Sequence, residues 1–212
     1  MTATVAVVVA AVLDRLFAEP PARVHPVALF GRLVAPVDRE WAHPLAAGAF
    51  AALALPALAA GVVAGTTLGA SLVSPWAGAG VAALALFSTT SLRMLLDATD
   101  TVVTATADDI ETARTELRAL AGRDPSSLSA GEIRSAAVES AAENLADGLV
   151  APLFAFGMLA PVSLPLAAAA AAWVKAVNTL DSMLGYHHKP VGRVPARLDD
   201  AVMWLPARVS AA

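Results

Sequence analysis

Long apolar stretches, separated by polar connectors, dominate this chain. They cover residues 2–17, 45–73, 76–96 and 149–173, with the main polar region at 97–148. From Trp41 to Leu92 there is no Asp, Glu, Lys or Arg. A helix that crosses a bilayer needs about 20 predominantly apolar residues, so this uncharged region has room for two. The pattern therefore predicts membrane-spanning helices rather than the core of a soluble domain.

Proline-containing turns divide the apolar stretches. Ser74-Pro75 separates the second stretch from the third, which predicts a helical hairpin. Pro161 to Pro165 splits the fourth stretch into halves of about a dozen residues, each too short to cross a bilayer alone. Two interpretations stay open for this stretch, one kinked span or a hairpin that re-enters on the side it left.

Loop charge favours the re-entrant hairpin. Lys and Arg are found in the connectors at 14–43, 93–148 and 174–201, whereas the Ser74-Pro75 turn has none. Basic loops of multi-pass proteins lie on the cytoplasmic side. We therefore predict an all-α, polytopic protein of the cell membrane. Residues 1–212 would form a single integral membrane domain with a cytoplasmic polar helical region.

Two helices are predicted within the polar region. Asp97 to Leu120 has the pattern of one amphipathic helix, and residues 122–125 break it. Ser129, with Glu132 three residues later, has the signature of a capping box, which predicts that a second helix covers about 130–147.

The second of these helices carries a stripe of carboxylates. Glu139, Glu143 and Asp147 lie at i, i+4 and i+8, flanked by Ser140 and Asn144. Like charges at this spacing repel by a few tenths of a kcal/mol per pair, so a divalent metal or a cationic ligand would supply the missing counter-charge. Oxygen ligands of this kind suit Mg²⁺. On the spacing alone, a solvated acidic helix face is the commoner explanation.

A second polar block follows the fourth apolar stretch. One helical face is predicted to hold Lys175, Asn178 and either Asp181 or Ser182. Gly185 is expected to end that helix. Ionisable groups at the edge of an apolar segment are costly and often functional. The alternative for Lys175 is a lysine that snorkels to the membrane interface.

Arginines and two aspartates form a third block. It contains Arg193, Arg197, Asp199, Asp200 and Arg208. Arginine forks suit phosphate or carboxylate, and adjacent carboxylates suit Mg²⁺ or an amine. The alternative is a group of salt bridges at a membrane surface, which would contribute little stability. A further helix is expected to begin near Ala201.

Histidines provide weaker signals. His25 precedes Pro26 in a proline-rich connector that also holds Glu19, and a single histidine in this setting is more often structural than catalytic. His187 and His188 are adjacent, so their side chains point apart, and we interpret them as surface loop residues rather than metal ligands.

Composition agrees with a membrane protein and excludes several functions. Hydrophobic residues make up 58% of the chain and charged residues only 15%, against about 25% in soluble domains. The net charge of −4, without any basic run, excludes a nucleic-acid-binding surface. The absence of cysteine excludes disulfides, thiolate metal sites and a cysteine nucleophile. No Walker-type loop or G-x-G-x-x-G motif is present, so any nucleotide would be bound by other means.

Several blocks follow one another along most of the chain. They are residues 139–154, residues 175–186, residues 196–200 with 206–208, and an opening at 13–21, 25–27 and 31–32. Together these collinear blocks resemble the adenosylcobinamide-phosphate synthase family of cobalamin biosynthesis. The resemblance implies a multi-pass membrane enzyme that joins aminopropanol, or its phosphate, to adenosylcobyric acid through an amide bond. It also implies ATP and Mg²⁺, because a carboxylate must be activated before it forms an amide. Other membrane proteins of the same pathway are expected as partners.

Site residues are assigned on the matching blocks. The expected catalytic residues are Glu139, Glu143, Asn144, Asp147, Lys175, Asn178, Asp181 and Ser182. The expected substrate-binding residues are Tyr186, Arg193, Arg197 and Arg208. The expected Mg²⁺ ligands are Glu143, Asp147, Asp199 and Asp200. Family members continue well beyond the block that ends at Arg208, so we expect this chain to be a C-terminally truncated copy. Its membership of the family would then not by itself establish that it is active.

Two other classes of membrane protein match the sequence less well than a synthase does. CDP-alcohol phosphotransferases have D-G-x2-A-R, but here Ala151 is followed by Pro152 rather than Arg, and the downstream carboxylates are missing from the apolar segment. A small membrane transporter or assembly subunit would line a path with intramembrane charges. The charges of this chain cluster instead at segment edges and in loops.

Overall fold

The computed structural model describes residues 1–121, 124–186 and 188–210, and it is helical throughout these ranges, without a strand. The helices are α1 (Thr2–Phe17), α2 (Pro26–Val34), α3 (Pro44–Val73), α4 (Pro75–Thr89), α5 (Leu92–Asp108), α6 (Ile110–Ala121), α7 (Ala130–Leu145), α8 (Ala151–Leu159), α9 (Leu164–Leu184) and α10 (Arg193–Ser210). A π-helical turn, Ala146–Val150, joins α7 to α8. The expected all-α fold is confirmed.

Two helical stretches of the described chain are long and apolar enough to cross a membrane: α3, Pro44–Val73, and Pro75–Asp108, which contains α4 and α5. Only 22% of the most apolar window of α3 is buried inside the protein, whereas a core helix of a soluble domain would be mostly buried. Phe50, Leu53 and Leu72 are among the exposed side chains of α3. This exposed apolar surface suits lipid and suggests a membrane protein.

The second of these stretches is interrupted between α4 and α5. Thr90 and Ser91 leave the helical conformation, and the Ser91 N–H donates to the carbonyl of Gly148 at 3.1 Å. The side chains of Thr89 and Thr90 donate back to the Leu86 carbonyl, which satisfies groups at the end of α4. The break therefore lies directly against the π-helical turn.

Helices α5, α6 and α7 form a polar bundle with its own small core. Val102, Leu117 and Ile133 are fully buried in it. The predicted capping box of Ser129 and Glu132 at the start of α7 is confirmed. The prediction of one helix over Asp97 to Leu120 is wrong, because Asp109 is extended and its carboxylate accepts from Glu111 N and Thr112 Oγ1. The side of the membrane on which this bundle lies stays a prediction.

The fourth apolar stretch folds back on itself. Helices α8 and α9 pack side by side, joined by the short turn at residues 160–163. Pro165 lies in the first turn of α9, where its missing N–H costs no hydrogen bond, and Ser163 caps that helix. The Ala-rich half of α9 is buried against α1, α4 and α8 around Phe156. A hairpin, rather than one kinked span, is therefore the form that this stretch takes.

Helix α10 brings the third polar block to the middle of the fold. It begins at Arg193, eight residues earlier than the start expected near Ala201. Pro195 lies in its first turn, which tolerates proline, and thus precedes the expected start near Ala201. The helix packs against α3, α9 and the π-helical turn. Gly185 ends α9 as expected, but with φ −71° rather than a left-handed conformation.

Candidate acidic site beside Lys175

Three aspartates from different elements meet around one asparagine. Asp147 comes from the π-helical turn, Asp181 from α9 and Asp199 from α10. Asn178 lies among them, and its Nδ2 donates to Asp147 Oδ2 at 3.1 Å. The Asn178 amide also lies close enough to Asp199 to stabilise its charged form. We call Asp147, Asp181 and Asp199 the acid cluster.

The acid cluster holds carboxylates that are costly to ionise together. Burial, together with the charges of the neighbouring Asp181, Asp147 and Asp200, raises the pKa of Asp199 to about 7. The pKa values of Asp147 and Asp181 are also raised, in each case mainly by burial. All three lie outside the two helices that could cross a membrane. A bound cation would relieve this cost.

Two oxygen atoms of the acid cluster have no partner in the described part of the chain. They are Asp181 Oδ1 and Asp199 Oδ1, and both are buried. Buried polar atoms are normally hydrogen-bonded, so these two indicate a position where a ligand or water belongs. No three acidic or histidine side chains in the described ranges are arranged to hold a metal ion by themselves.

Lys175 faces the acid cluster one turn before Asn178 on α9. Burial lowers the pKa of Lys175, and the charges of Asp147, Glu19 and Asp199 oppose that shift. Within the described residues its ammonium makes no hydrogen bond and no ion pair shorter than 4.0 Å. A desolvated ammonium held near carboxylates but not bound to one is available to an anionic ligand.

Lys175 also lines two cavities. The first, which we call the polar cavity, has a volume of about 440 Å³ and is lined in part by Glu19, His25, Thr89, Thr90, Ser91, Asn144 and Lys175. The second has a volume of about 310 Å³ and apolar walls from α2, α3, α4 and α9. Lys175 therefore stands between the polar cavity, the apolar cavity and the acid cluster.

The predicted residues of α7 lie near this site but belong to it unequally. The charge of Glu143 raises the pKa of Asp147, so the two carboxylates are neighbours, although Glu143 is exposed. Asn144 lines the polar cavity. Glu139 is exposed one turn further from Asp147. Of the carboxylate stripe Glu139, Glu143 and Asp147, only Asp147 therefore belongs to the acid cluster.

The other predicted residues of α9 and α10 are more peripheral. The exposed Ser182 donates its hydroxyl to the Asn178 carbonyl at 2.9 Å. Asp200 is exposed, and its charge raises the pKa of Asp181.

The predicted substrate-binding residues are not brought together. Arg208 stacks on Trp204, with its guanidinium carbon 4.0 Å from the ring centroid. Tyr186 is exposed, and Lys189 Nζ lies 5.0 Å from its ring centroid. Arg193 and Arg197 are exposed on α10. Among the described residues none of the three arginines forms an ion pair with the acid cluster. His187, which the sequence predicted to be a surface loop residue, lies outside the residues that the structure describes.

Glu19 and His25 were noted in the sequence as a weak feature of the proline-rich connector, with the histidine interpreted as structural, and neither was assigned to the site. Both line the polar cavity, and His25 Nε2 lies 3.8 Å from Glu19 Oε2. Their chemical partner, Lys175, lies far away in sequence, so no local spacing reveals it.

The fold and site define an all-helical protein with apolar helices and a buried acidic site beside a lysine. By sequence, the chain belongs to the CobD/Cbib protein family, which matches residues 7–212. This confirms the family to which the sequence blocks pointed. No solved structure matches the chain.

Relatives from bacteria and archaea align over nearly the whole chain. Cobalamin biosynthesis protein CobD of Klebsiella pneumoniae is 39% identical, over 95% of this chain and 65% of the relative. Cobalamin biosynthesis protein CbiB of Salmonella typhimurium is 37% identical, over 95% and 65%. A probable cobalamin biosynthesis protein CobD of Methanothrix thermoacetophila is 32% identical, over 96% and 67%. The chain thus spans about two thirds of the length of these relatives.

Proposed function

We propose that the chain acts in cobalamin biosynthesis, joining aminopropanol or its phosphate to adenosylcobyric acid through an amide bond. The product would be adenosylcobinamide or its phosphate. The names of the relatives, cobalamin biosynthesis proteins CobD and CbiB, support the pathway. The reaction is supported by the resemblance of the sequence blocks and by the chemistry of the site.

The observation that carries the proposal is the position of Lys175 between the acid cluster and the polar cavity. Amide formation from a carboxylate needs an activated acyl group, which ATP would supply by phosphorylating the propionate side chain. Lys175 would pair with a phosphoryl oxygen, because its ammonium is a compact charge without a fixed partner among the described residues. The polar cavity beside it has room for a small amine.

The acid cluster fits Mg²⁺ in its partly hydrated form. Mg²⁺ usually takes one or two carboxylates, keeps several waters and bridges substrate phosphates. The unpartnered Asp181 Oδ1 and Asp199 Oδ1 would serve as its protein ligands, with Asp147 beside them. When bound, Mg²⁺ would neutralise charge on the transferred phosphoryl group.

Growth of a corrinoid auxotroph tests this proposal. A strain without its own synthase would express the chain and receive cobyric acid, with cobinamide feeding as the growth control. We expect growth with the wild-type chain, loss of growth with Asp147→Asn or Asp199→Asn, and normal growth with Asp100→Asn, an exposed acid on α5. Absence of growth while the wild-type protein is present in membranes would contradict the proposal for this chain.

A further inference from the structure

Several polar groups of the residues that line the polar cavity have lone pairs left to accept a hydrogen bond. The hydroxyls of Thr89 and Thr90 donate their only proton to the Leu86 carbonyl, at 2.8 and 3.2 Å. Asn144 Nδ2 donates to Ser140 O and Ser140 Oγ, at 2.9 and 3.2 Å. Lone pairs on both threonine hydroxyls and on Asn144 Oδ1 therefore remain. A ligand that offers several N–H donors fits such a wall.

Glu19 supplies the negative charge of this cavity from a strained turn. Ala18 has φ 60° and ψ −64°, and Glu19 N donates to Phe17 O at 2.7 Å, which is the uncommon γ-turn with positive φ. The turn follows the end of α1, whose Arg15 and Leu16 carbonyls accept from Arg93 Nη1 at 2.9 Å. Strained backbone persists where the surrounding structure enforces it, and it often marks a functional position.

His25 lies beside the Glu19 carboxylate. Its Nδ1 accepts from Val27 N at 3.1 Å and so caps α2. A neutral imidazole that accepts at Nδ1 carries its proton at Nε2. Nε2 lies 3.8 Å from Glu19 Oε2, and His25 is buried. A small shift of either side chain would therefore let His25 donate to Glu19, while its Nδ1 stays engaged by the backbone of α2.

We infer that the polar cavity binds a primary ammonium group against Glu19, and that Glu19 is the base that accepts its proton. This inference rests on the proposed function, in which that group belongs to aminopropanol or its phosphate. A primary ammonium has three donors and no acceptor, which matches Glu19, Thr89 and Asn144. Lys175 would repel a cation beside it, so the ammonium lies at the Glu19 end and the phosphorylated propionate at the Lys175 end. His25 is a positioning residue.

The proton and electron balance is complete with a nucleoside triphosphate as phosphoryl donor. The ammonium gives one proton to the Glu19 carboxylate and becomes a neutral amine. The nitrogen lone pair forms the C–N bond at the acyl phosphate carbon, and the C–O bond to the phosphate breaks. The phosphate leaves with that bonding pair, and the second proton lost from nitrogen passes to it.

Binding of aminopropanol to the detergent-solubilised full chain, measured by calorimetry, tests the inference. We expect Glu19→Gln to weaken binding about tenfold or more, since a lost hydrogen bond to a charged group costs about 1.5–3 kcal/mol. His25→Asn retains a helix cap but not the donor to Glu19, so we expect a loss of about threefold. Glu40→Gln, at an exposed acid outside the cavity, should bind like the wild type. Propane-1,2-diol, which lacks the ammonium, should not bind.

Turnover separates this inference from the proposed function. In an amide-forming assay, Glu19→Gln should raise the KM for the amine and lower kcat, while His25→Asn raises the amine KM and leaves the KM for ATP unchanged. If amine binding depends on Glu19 but no variant or wild type forms an amide, the amine site stands and the proposed function fails. Wild-type amine binding or amine KM in Glu19→Gln, or no amine binding by the wild type, overturns the inference.

Discussion

Asn178 Nδ2 donates to Asp147 Oδ2 at 3.1 Å, and this hydrogen bond ties α9 to the π-helical turn between α7 and α8. The turn widens the helix locally, and π-helical turns are frequent at functional sites. It places Asp147 beside α9 and α10, so that two residues from separate sequence blocks meet. Asn178 thereby holds the Asp147 carboxylate within the acid cluster.

Removing the Asn178 amide should cost stability as well as activity. Asn178→Ala leaves Asp147, a carboxylate already penalised by burial, without its donor. We expect a loss of about 1–2 kcal/mol, a decrease of roughly 2–8 °C in Tm in a protein of this size. Thermal unfolding of the detergent-solubilised chain measures this. Ser182→Ala, on the exposed side of the same helix, is the matched control and should change Tm by less than about 2 °C.

Stability should depend on pH through Asp199. Its folded-state pKa of about 7 is above the ordinary value of 3.8, so the folded chain binds more protons than the unfolded chain between these values. The contribution of Asp199 to stability is therefore fully present below about pH 4 and is lost as the pH rises through about 7. In EDTA, we expect Asp199→Asn to have a higher Tm than the wild type at pH 8, and this difference to shrink at pH 5. An equal difference at both pH values would contradict the raised pKa.

Mg²⁺ should restore the stability that the folded chain loses when Asp199 ionises at high pH. A divalent cation favours the ionised carboxylates of Asp181 and Asp199, so it should raise the Tm of the wild type at pH 8 more than at pH 5. The increase at pH 8 should disappear in Asp199→Asn. Ca²⁺ and a matched ionic strength of NaCl are the controls for selectivity and for screening. A similar rise in NaCl alone would show that the effect is general screening rather than a site.

The apolar stretches made most helices predictable from the sequence. The helix boundaries that were not predicted depend on single residues. Asp109 divides α5 from α6 because its carboxylate caps the following helix, yet one aspartate in an amphipathic pattern looks like an exposed helical position. Pro195 likewise lies before the helix start expected near Ala201, although it occupies the first turn of α10. In both cases the hydrogen bonds of the backbone, not the hydrophobic pattern, set the helix boundary.

The residues of the candidate site were predictable where they lie within one of the recognised sequence blocks, and not where they lie in a connector. Asp147, Asn178 and Asp199 were singled out from separate blocks, and the structure brings them together. Glu19 and His25 reach the same region from the connector between α1 and α2, through long-range packing that no local spacing encodes. Conversely, Arg208 was predicted to bind substrate, but it stacks on Trp204 in its own helix.

Gly185 should be needed for the acid cluster although it holds no chemical group. A Cβ at this position would collide with Asp181 Oδ1 and with the Asp181 backbone carbonyl. Because φ is −71°, the constraint is lack of space rather than a left-handed conformation. Gly185→Ala should therefore displace the Asp181 carboxylate, abolish growth in the auxotroph assay and lower the effect of Mg²⁺ on Tm.

The matched control for this substitution is Gly131→Ala, where a Cβ would meet no neighbouring atom within 4 Å. Gly131 lies in the first turn of α7, so alanine should be neutral or stabilise the chain by up to about 1 kcal/mol. We expect full growth with this variant. Normal growth and a normal Mg²⁺ response in Gly185→Ala would mean that Asp181 has no part in the site, and would leave Asp147 and Asp199 as its carboxylates.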